Sequence, residues 1–209
     1  MLLVIMDKAF SAKVTHALSL VHGIGFLHRD LKPSNCCVGV DDVTRIYLLD
    51  YVGFLHSAKN AWLANILMTA SQPNRKKSMD VIQNDLLTFG TLSKTYGNPG
   101  GSDGLTRQYL DSSGLIRKPR ESIGMRGTLR YVSLEAHSRH DLGPNHDLVA
   151  LLYSILGDGK LPWSKMREES AIKASKMETT VEKLCEKQPK MLKMAENFFF
   201  ILLAMPSCL

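Results

Sequence analysis

A chain of 209 residues with 44% hydrophobic residues can bury one sizeable core. Charged residues make up 22% and the formal net charge is +6, which suits a solvated surface with a Lys excess rather than a polycation. No block of five or more like charges marks a nucleic-acid tail, so no nucleic-acid partner is expected.

Taken in chain order, the apolar run at 1–6 is too short for a secretory leader, and it lacks a basic leader and a cleavage site. Val14, Leu18 and Val21 recur at helical spacing and predict an amphipathic helix ending near Gly23 and Gly25. Residues 36–40 and 45–49 read as two β-runs, with Asp41 and Asp42 as the turn of a hairpin. The stretch from about 52 to 103 has a different character, with the basic cluster Arg75, Lys76 and Lys77 and a Gly/Pro-rich close from Gly97 to Gly104. A second loop, 111–120, holds Pro119 and three basic residues. Residues 147–156 are apolar on nearly every side, the pattern of a buried central helix, with Asn145 as cap and Gly157 as stop. Leu161, Pro162 and Trp163 break the chain. Met177, Val181, Leu184 and Cys185 then predict one late amphipathic helix, and Pro189 can start another. The apolar run 198–205 is too short to span a bilayer, so no membrane association is expected. Cys36, Cys37, Cys185 and Cys208 show no metal-ligand spacing and read as reduced thiols of a cytoplasmic or nuclear protein. The expected fold is mainly α with a short β-hairpin.

The chemistry concentrates in His28-Arg29-Asp30-Leu31-Lys32-Pro33-Ser34-Asn35, between a helix and a hairpin. Phosphoryl transfer to a hydroxyl needs a carboxylate to orient the hydroxyl and take its proton. It also needs a cation beside the transferring group and an oxygen ligand for metal. Asp30, Lys32 and Asn35 supply these within six positions, the pattern of a protein-kinase catalytic loop. Leu48-Leu49-Asp50-Tyr51 stands where kinases carry Asp-Phe-Gly, whose Asp binds Mg²⁺; here Val52 replaces the Gly. Arg126-Gly127-Thr128-Leu129-Arg130-Tyr131 has the form of the substrate-docking end of an activation segment. Asp147 heads the buried helix, where a plain helix-capping role is the alternative to a functional one.

With residues 25–35, Arg126-Gly127-Thr128 to Tyr131, Ala136-His137 and Leu161-Pro162-Trp163, the chain resembles the casein kinase 1 superfamily, and within it the tau-tubulin kinase branch. The resemblance implies the C-terminal lobe of the protein kinase fold, with ATP and Mg²⁺ as cofactors and Ser or Thr of protein substrates as acceptors. Lys32-Pro33 fits the Ser/Thr branch. The resemblance makes Asp30, Lys32 and Thr128 catalytic, with Thr128 bonded to Asp30 and Lys32. Lys32, Asn35 and Asp50 would hold nucleotide, and Asn35 and Asp50 the metal. His28 and Asp147 would be structural, Asp147 pinning the catalytic loop. Arg130 would be part of an anion site for substrates that are acidic or already phosphorylated. Cytoskeletal proteins are the expected substrates by family analogy. Arg117, Lys118 and Arg120 either add to that anion field or form a solvated loop.

Three departures accompany the resemblance. No Gly-x-Gly-x-x-Gly and no Val-Ala-x-Lys strand precede Asp30, so an N-terminal lobe is expected to be absent from this stretch. Joining Tyr51 to Gly104 restores a family-like Asp-Tyr-Gly-Leu-Thr-Arg. Residues 1–51 and 104–196 therefore read as a partial kinase lobe, and 52–103 as an insertion or an unspliced intron. Residues 197–209 form an atypical tail. The Arg that would pair with Glu135, in the Ala-Pro-Glu position, is expected to be missing with the last helices. Together these features predict a Ser/Thr kinase-like chain, or an impaired lobe that binds protein partners.

Overall fold

The computed structural model describes residues 8–39, 42, 46–49, 107–111, 113–157, 161–186, 189, 192–193 and 195–196. The described chain is mainly α-helical, with two short antiparallel strand pairs. It divides into two compact units. One comprises the described residues of Met1–Ser11, Arg29–Asn35 and Lys118–Leu209; the other comprises those of Ala12–His28 and Cys36–Arg117.

The opening amphipathic pattern folds as α1 (Lys8–Gly23), with Val14, Leu18 and Val21 buried on one face. The helix ends as the two glycines predict. Gly25 N–H donates to the His22 carbonyl at 2.8 Å, and Gly25 adopts φ +85°, a conformation that glycine reaches without Cβ strain. A Cβ at Gly25 would also lie 2.9 Å from Leu110 Cβ.

The strands are β1 (Phe26–Leu27), β2 (Cys36–Val38), β3 (Ile46–Leu48) and β4 (Arg107–Gln108). β2 and β3 form the expected antiparallel pair, with Cys36 opposite Leu48 and Val38 opposite Ile46. Asp41 of the predicted turn lies outside the described residues. β1 pairs with β4, Phe26 opposite Gln108 and Leu27 opposite Arg107. Strands of two residues carry no alternation, so the sequence pattern held no sign of this pair.

The remaining helices are α2 (Leu134–His137), α3 (Pro144–Gly157), α4 (Glu169–Glu178) and α5 (Val181–Cys185). α3 is the buried central helix, with every residue from Asp147 to Leu156 buried. Its start differs from expectation. Asn145 is inside the helix, which opens at Pro144, because proline's fixed φ suits the first helical position and its missing N–H has no partner to lose there. The late helix also differs. The chain breaks at Thr179, which is extended, and Thr180 caps α5 by accepting from Lys183 N–H at 3.3 Å. Met177, expected on the apolar face, is 67% exposed. Pro189 is helical, as expected. Among the described residues no helix is long and apolar enough to cross a membrane. Cys36, Cys37 and Cys185 are free, and burial, helped by nearby Cys37, pushes the Cys36 thiol up to about 12, so it stays protonated and unreactive. Cys208 and the tail 197–209 lie outside the described residues, as does the segment 52–103.

Candidate active site

The loop 28–35 begins in the unit that holds the strands. There the buried His28 ring places Nε2 2.9 Å from the Leu49 carbonyl, tying the loop's first residue to the end of β3. Asp50, next in sequence, lies outside the described residues.

The rest of the loop belongs to the helical unit. Arg29 adopts φ 68°, an uncommon value for a side chain with Cβ. Its N–H donates to Asp147 Oδ1 at 2.8 Å, and Asp147 is 2% exposed in the first turn of α3. Asp147 therefore acts beyond its own helix. It bonds the backbone of a loop 118 residues away and holds a strained residue in place.

The Asp30 carboxylate is 4% exposed and each of its oxygens is engaged. The Thr128 hydroxyl donates to Oδ1 at 2.7 Å, and Lys32 Nζ donates to Oδ2 at 2.6 Å. Lys32 Nζ also reaches Thr128 Oγ1 at 3.2 Å, which closes a three-membered polar cluster. A buried carboxylate is expensive unless paired, and here a cation and a hydroxyl meet it. After the 3-10 turn Pro33–Asn35, Asn35 Nδ2 donates to the Asp30 carbonyl at 2.9 Å. Its nitrogen thus faces Asp30, and its oxygen is the end with cation-ligating chemistry.

Thr128 reaches Asp30 because Gly127 lets two backbones nearly touch. Gly127 has φ +88°, and a Cβ there would collide with the Arg29 carbonyl and lie 2.7 Å from Val132 Cγ1. After it, the Thr128 carbonyl accepts from Tyr131 N at 2.8 Å and Val132 N at 3.2 Å, winding 128–132 into one turn. A cavity of about 10 Å³, large enough for a single water, lies among Arg29, Asp30, Thr128, Val132, His146 and Asp147.

The structure therefore brings together Asp30, Lys32, Asn35, Thr128 and Asp147. Arg130 lies at the surface, where its guanidinium donates to the Ser164 carbonyl at 2.8 Å. Of the other basic residues, Arg117 bonds the Leu110 carbonyl and Gln108, and Arg120 pairs with buried Asp141 at 3.1 Å. Internal partners thus occupy both, while Lys118 is exposed.

Glu135 finds a partner within the chain. His146 Nδ1 stands 3.4 Å from Glu135 Oε2, and the polar contact with that ring is the main cause holding the Glu135 carboxyl down to about 2.

No motif in the sequence marks Lys176. It is 3% exposed and its Nζ bonds the backbone carbonyls of Leu129 and Val132. The available clue was its position four residues after Ile172, on the face of α4 that turns inward.

Among the described residues no group of three His, Cys, Asp or Glu could form a protein metal cage. The Asn35 amide oxygen is by type a ligand for a hard cation such as Mg²⁺, as is a carboxylate like that of Asp50.

No protein-family model matches the chain. Many curated proteins do, among them three with provisional names. A serine/threonine-protein kinase of Dictyostelium discoideum is 27% identical over 181 residues, 85% of this chain and 26% of its own length. A casein kinase I of Caenorhabditis elegans is 26% identical over 73% of this chain and 31% of its own. A second Caenorhabditis elegans protein, a serine/threonine-protein kinase, is 28% identical over 84% of this chain and 38% of its own. The chain is similar over most of its length to proteins named as serine/threonine kinases, and it spans between about a quarter and two fifths of theirs.

Proposed function

We propose that the chain carries the catalytic-loop part of a Ser/Thr protein kinase of the casein kinase 1 type, in its tau-tubulin branch. The observation that carries this is the Asp30 carboxylate, with the Thr128 hydroxyl on one oxygen and Lys32 on the other. Asp30 would accept a substrate hydroxyl's proton and Lys32 would steady the transferring phosphoryl. Thr128 would orient both. Asn35 and Asp50 would hold Mg²⁺, which would supply positive charge to offset that of the ATP phosphates. His28, through the Leu49 carbonyl, and Asp147, through the Arg29 N–H, would hold the start of the loop. The acceptors would be Ser or Thr of cytoplasmic or nuclear proteins, acidic or already phosphorylated nearby, with Arg130 as one anion ligand and cytoskeletal proteins as the first candidates. Residues 1–51 and 104–196 would form the lobe, with 52–103 inserted in it and 197–209 a tail apart from it.

A second reading, a lobe that binds protein partners without transferring phosphate, has one observation in its favour. Within these 209 residues nothing supplies a glycine-rich phosphate cover or its partner Lys. We therefore expect the 209 residues alone to transfer phosphate slowly at most, because catalysis here is mainly positioning and charge stabilisation.

One experiment separates the two readings. The chain is incubated with Mg-ATP and casein beside its Asp30→Asn variant, phospho-Ser and phospho-Thr are counted by mass spectrometry, and the Asn35 side-chain amide is followed by NMR. Slow transfer that disappears in Asp30→Asn supports the kinase reading. Transfer equal in both proteins, or an Asn35 amide indifferent to Mg-ATP, overturns it.

A further inference from the structure

Lysine is rarely buried without partners, since removing an ammonium from water is costly. Lys176, near the end of α4, is buried and fully partnered. Its Nζ lies 2.8 Å from the Leu129 carbonyl, 2.6 Å from the Val132 carbonyl and 3.2 Å from His137 Nε2. An ammonium has three N–H donors, and three acceptors surround it. The rings of Tyr153 and Trp163 stand 5.3 Å and 5.5 Å away and pack edge to face on each other.

The other end of the His137 ring fixes its tautomer. Nδ1 lies 3.3 Å from Glu169 Oε1, so the proton sits on Nδ1 and Nε2 accepts from Lys176. Arg139 holds the other Glu169 oxygen at 2.9 Å. Burial first, and then the Lys176 charge, lower the His137 pKa, which keeps the ring neutral beside the ammonium.

The carbonyls that Lys176 grips belong to the 128–132 turn, whose first residue puts its hydroxyl on Asp30. Trp163 Nε1 bonds a third carbonyl of that turn, Arg130, at 2.8 Å. The turn is therefore held from beneath by side chains on α4 and on the segment before it.

We propose that Lys176 is a positioning residue: its ammonium clamps the 128–132 turn and so keeps the Thr128 hydroxyl against Asp30 and Lys32. The word positioning rests on the phosphoryl-transfer reading of the site; the clamp itself does not. Burial brings the Lys176 pKa down to about 7 from an ordinary 10.5. The clamp is charged below that pH. Above it, a neutral amine with two N–H groups cannot serve three acceptors. The titratable groups in contact with it are His137 from α2 and Tyr153 from α3; Glu169 and Lys173, on its own helix, act on it through His137. Burial pushes Tyr153 up to about 12, clear of the neutral range.

The test needs neither ATP nor substrate. The full chain is labelled with ¹³C at threonine methyls and at lysine Cε, and spectra are recorded from about pH 5.5 to 8.5, with Thr128 assigned from Thr128→Ser. In the wild type, the Thr128 methyl and Lys176 Cε signals should step together with a midpoint near 7. The Thr128 step should vanish in Lys176→Arg, which stays charged throughout, and survive in His137→Gln. A Thr128 signal that does not move, that steps apart from Lys176, or that loses its step only in His137→Gln overturns the proposal, and the wild-type comparison decides even if a variant fails to fold. If the steps appear but transfer is equal in Asp30→Asn, or the Asn35 amide is indifferent to Mg-ATP, the clamp stands and the kinase reading falls. If transfer appears without the steps, the reverse holds.

Discussion

Gly127 and Gly114 share a left-handed backbone, at φ +88° and +77°, but only Gly127 is pressed against another backbone. Alanine at Gly114 should cost about 1–2 kcal/mol, from the conformation alone. Alanine at Gly127 adds a collision with the Arg29 carbonyl and should cost roughly 2–5 kcal/mol while parting Thr128 from Asp30. Urea unfolding of both variants checks the order; equal losses would show that the close approach is dispensable. Asp147→Ala leaves the Arg29 N–H buried without its charged acceptor and should cost about 1.5–3 kcal/mol on the same scale. Glu135 offers a pH test. Its folded pKa, about 2, is below the ordinary 4.5, so the unfolded chain binds the proton more tightly. Its contribution to stability is present above pH 4.5 and is lost as the pH falls towards 2. The side chain is 52% exposed, so the effect should be small and weaken with salt. Melting curves of Glu135→Gln and wild type at pH 5 and pH 3, in low salt, should therefore converge at the lower pH.

Among the elements, α3 and α4 differ in how openly the sequence announces them. α3 is apolar on all sides, so its burial is plain from residues 147–156, and only its first turn is displaced, by Pro144. Leu151, fully buried in that helix, should cost about 2–5 kcal/mol when cut to alanine, measured by urea unfolding. In α4 the buried residues are Ile172 and Lys176, and a lysine at the inward position breaks the apolar period that would reveal the helix. The break after it was hidden for a related reason. Thr179 and Thr180 sit among residues that suit a continuing helix, and the cap at Thr180 works through one hydroxyl rather than through pattern. The loop 28–35 was legible because its chemistry lies within eight consecutive residues. Thr128 and Asp147 were reached only through the kinase resemblance. Nothing local links them to Asp30 or Arg29, since their bonds cross 98 and 118 residues.

On the scale of the whole molecule, the long connection from β3 to β4 is the main oddity. Deleting 52–103 would shorten it about tenfold while leaving every described residue in place. Closure entropy grows only with the logarithm of loop length, so the deletion should add about 2 kcal/mol of stability and leave both strand pairs intact. Urea unfolding followed by Trp fluorescence, with amide exchange at Leu27 and Leu48, measures both. A variant that fails to fold would show that 52–103 belongs to the structure rather than interrupting it. The hydrogen bond from Arg29 N–H to Asp147 has a further consequence, in time. Arg29 is synthesised first, and its acceptor is made 118 residues later. Contacts so distant in sequence form late in folding. A nascent chain released before Asp147 has cleared the ribosome would carry the whole 28–35 motif and its short-range bonds, without the acceptor that holds the Arg29 backbone. Products of early termination should therefore be inert at this loop, however intact the motif looks on paper.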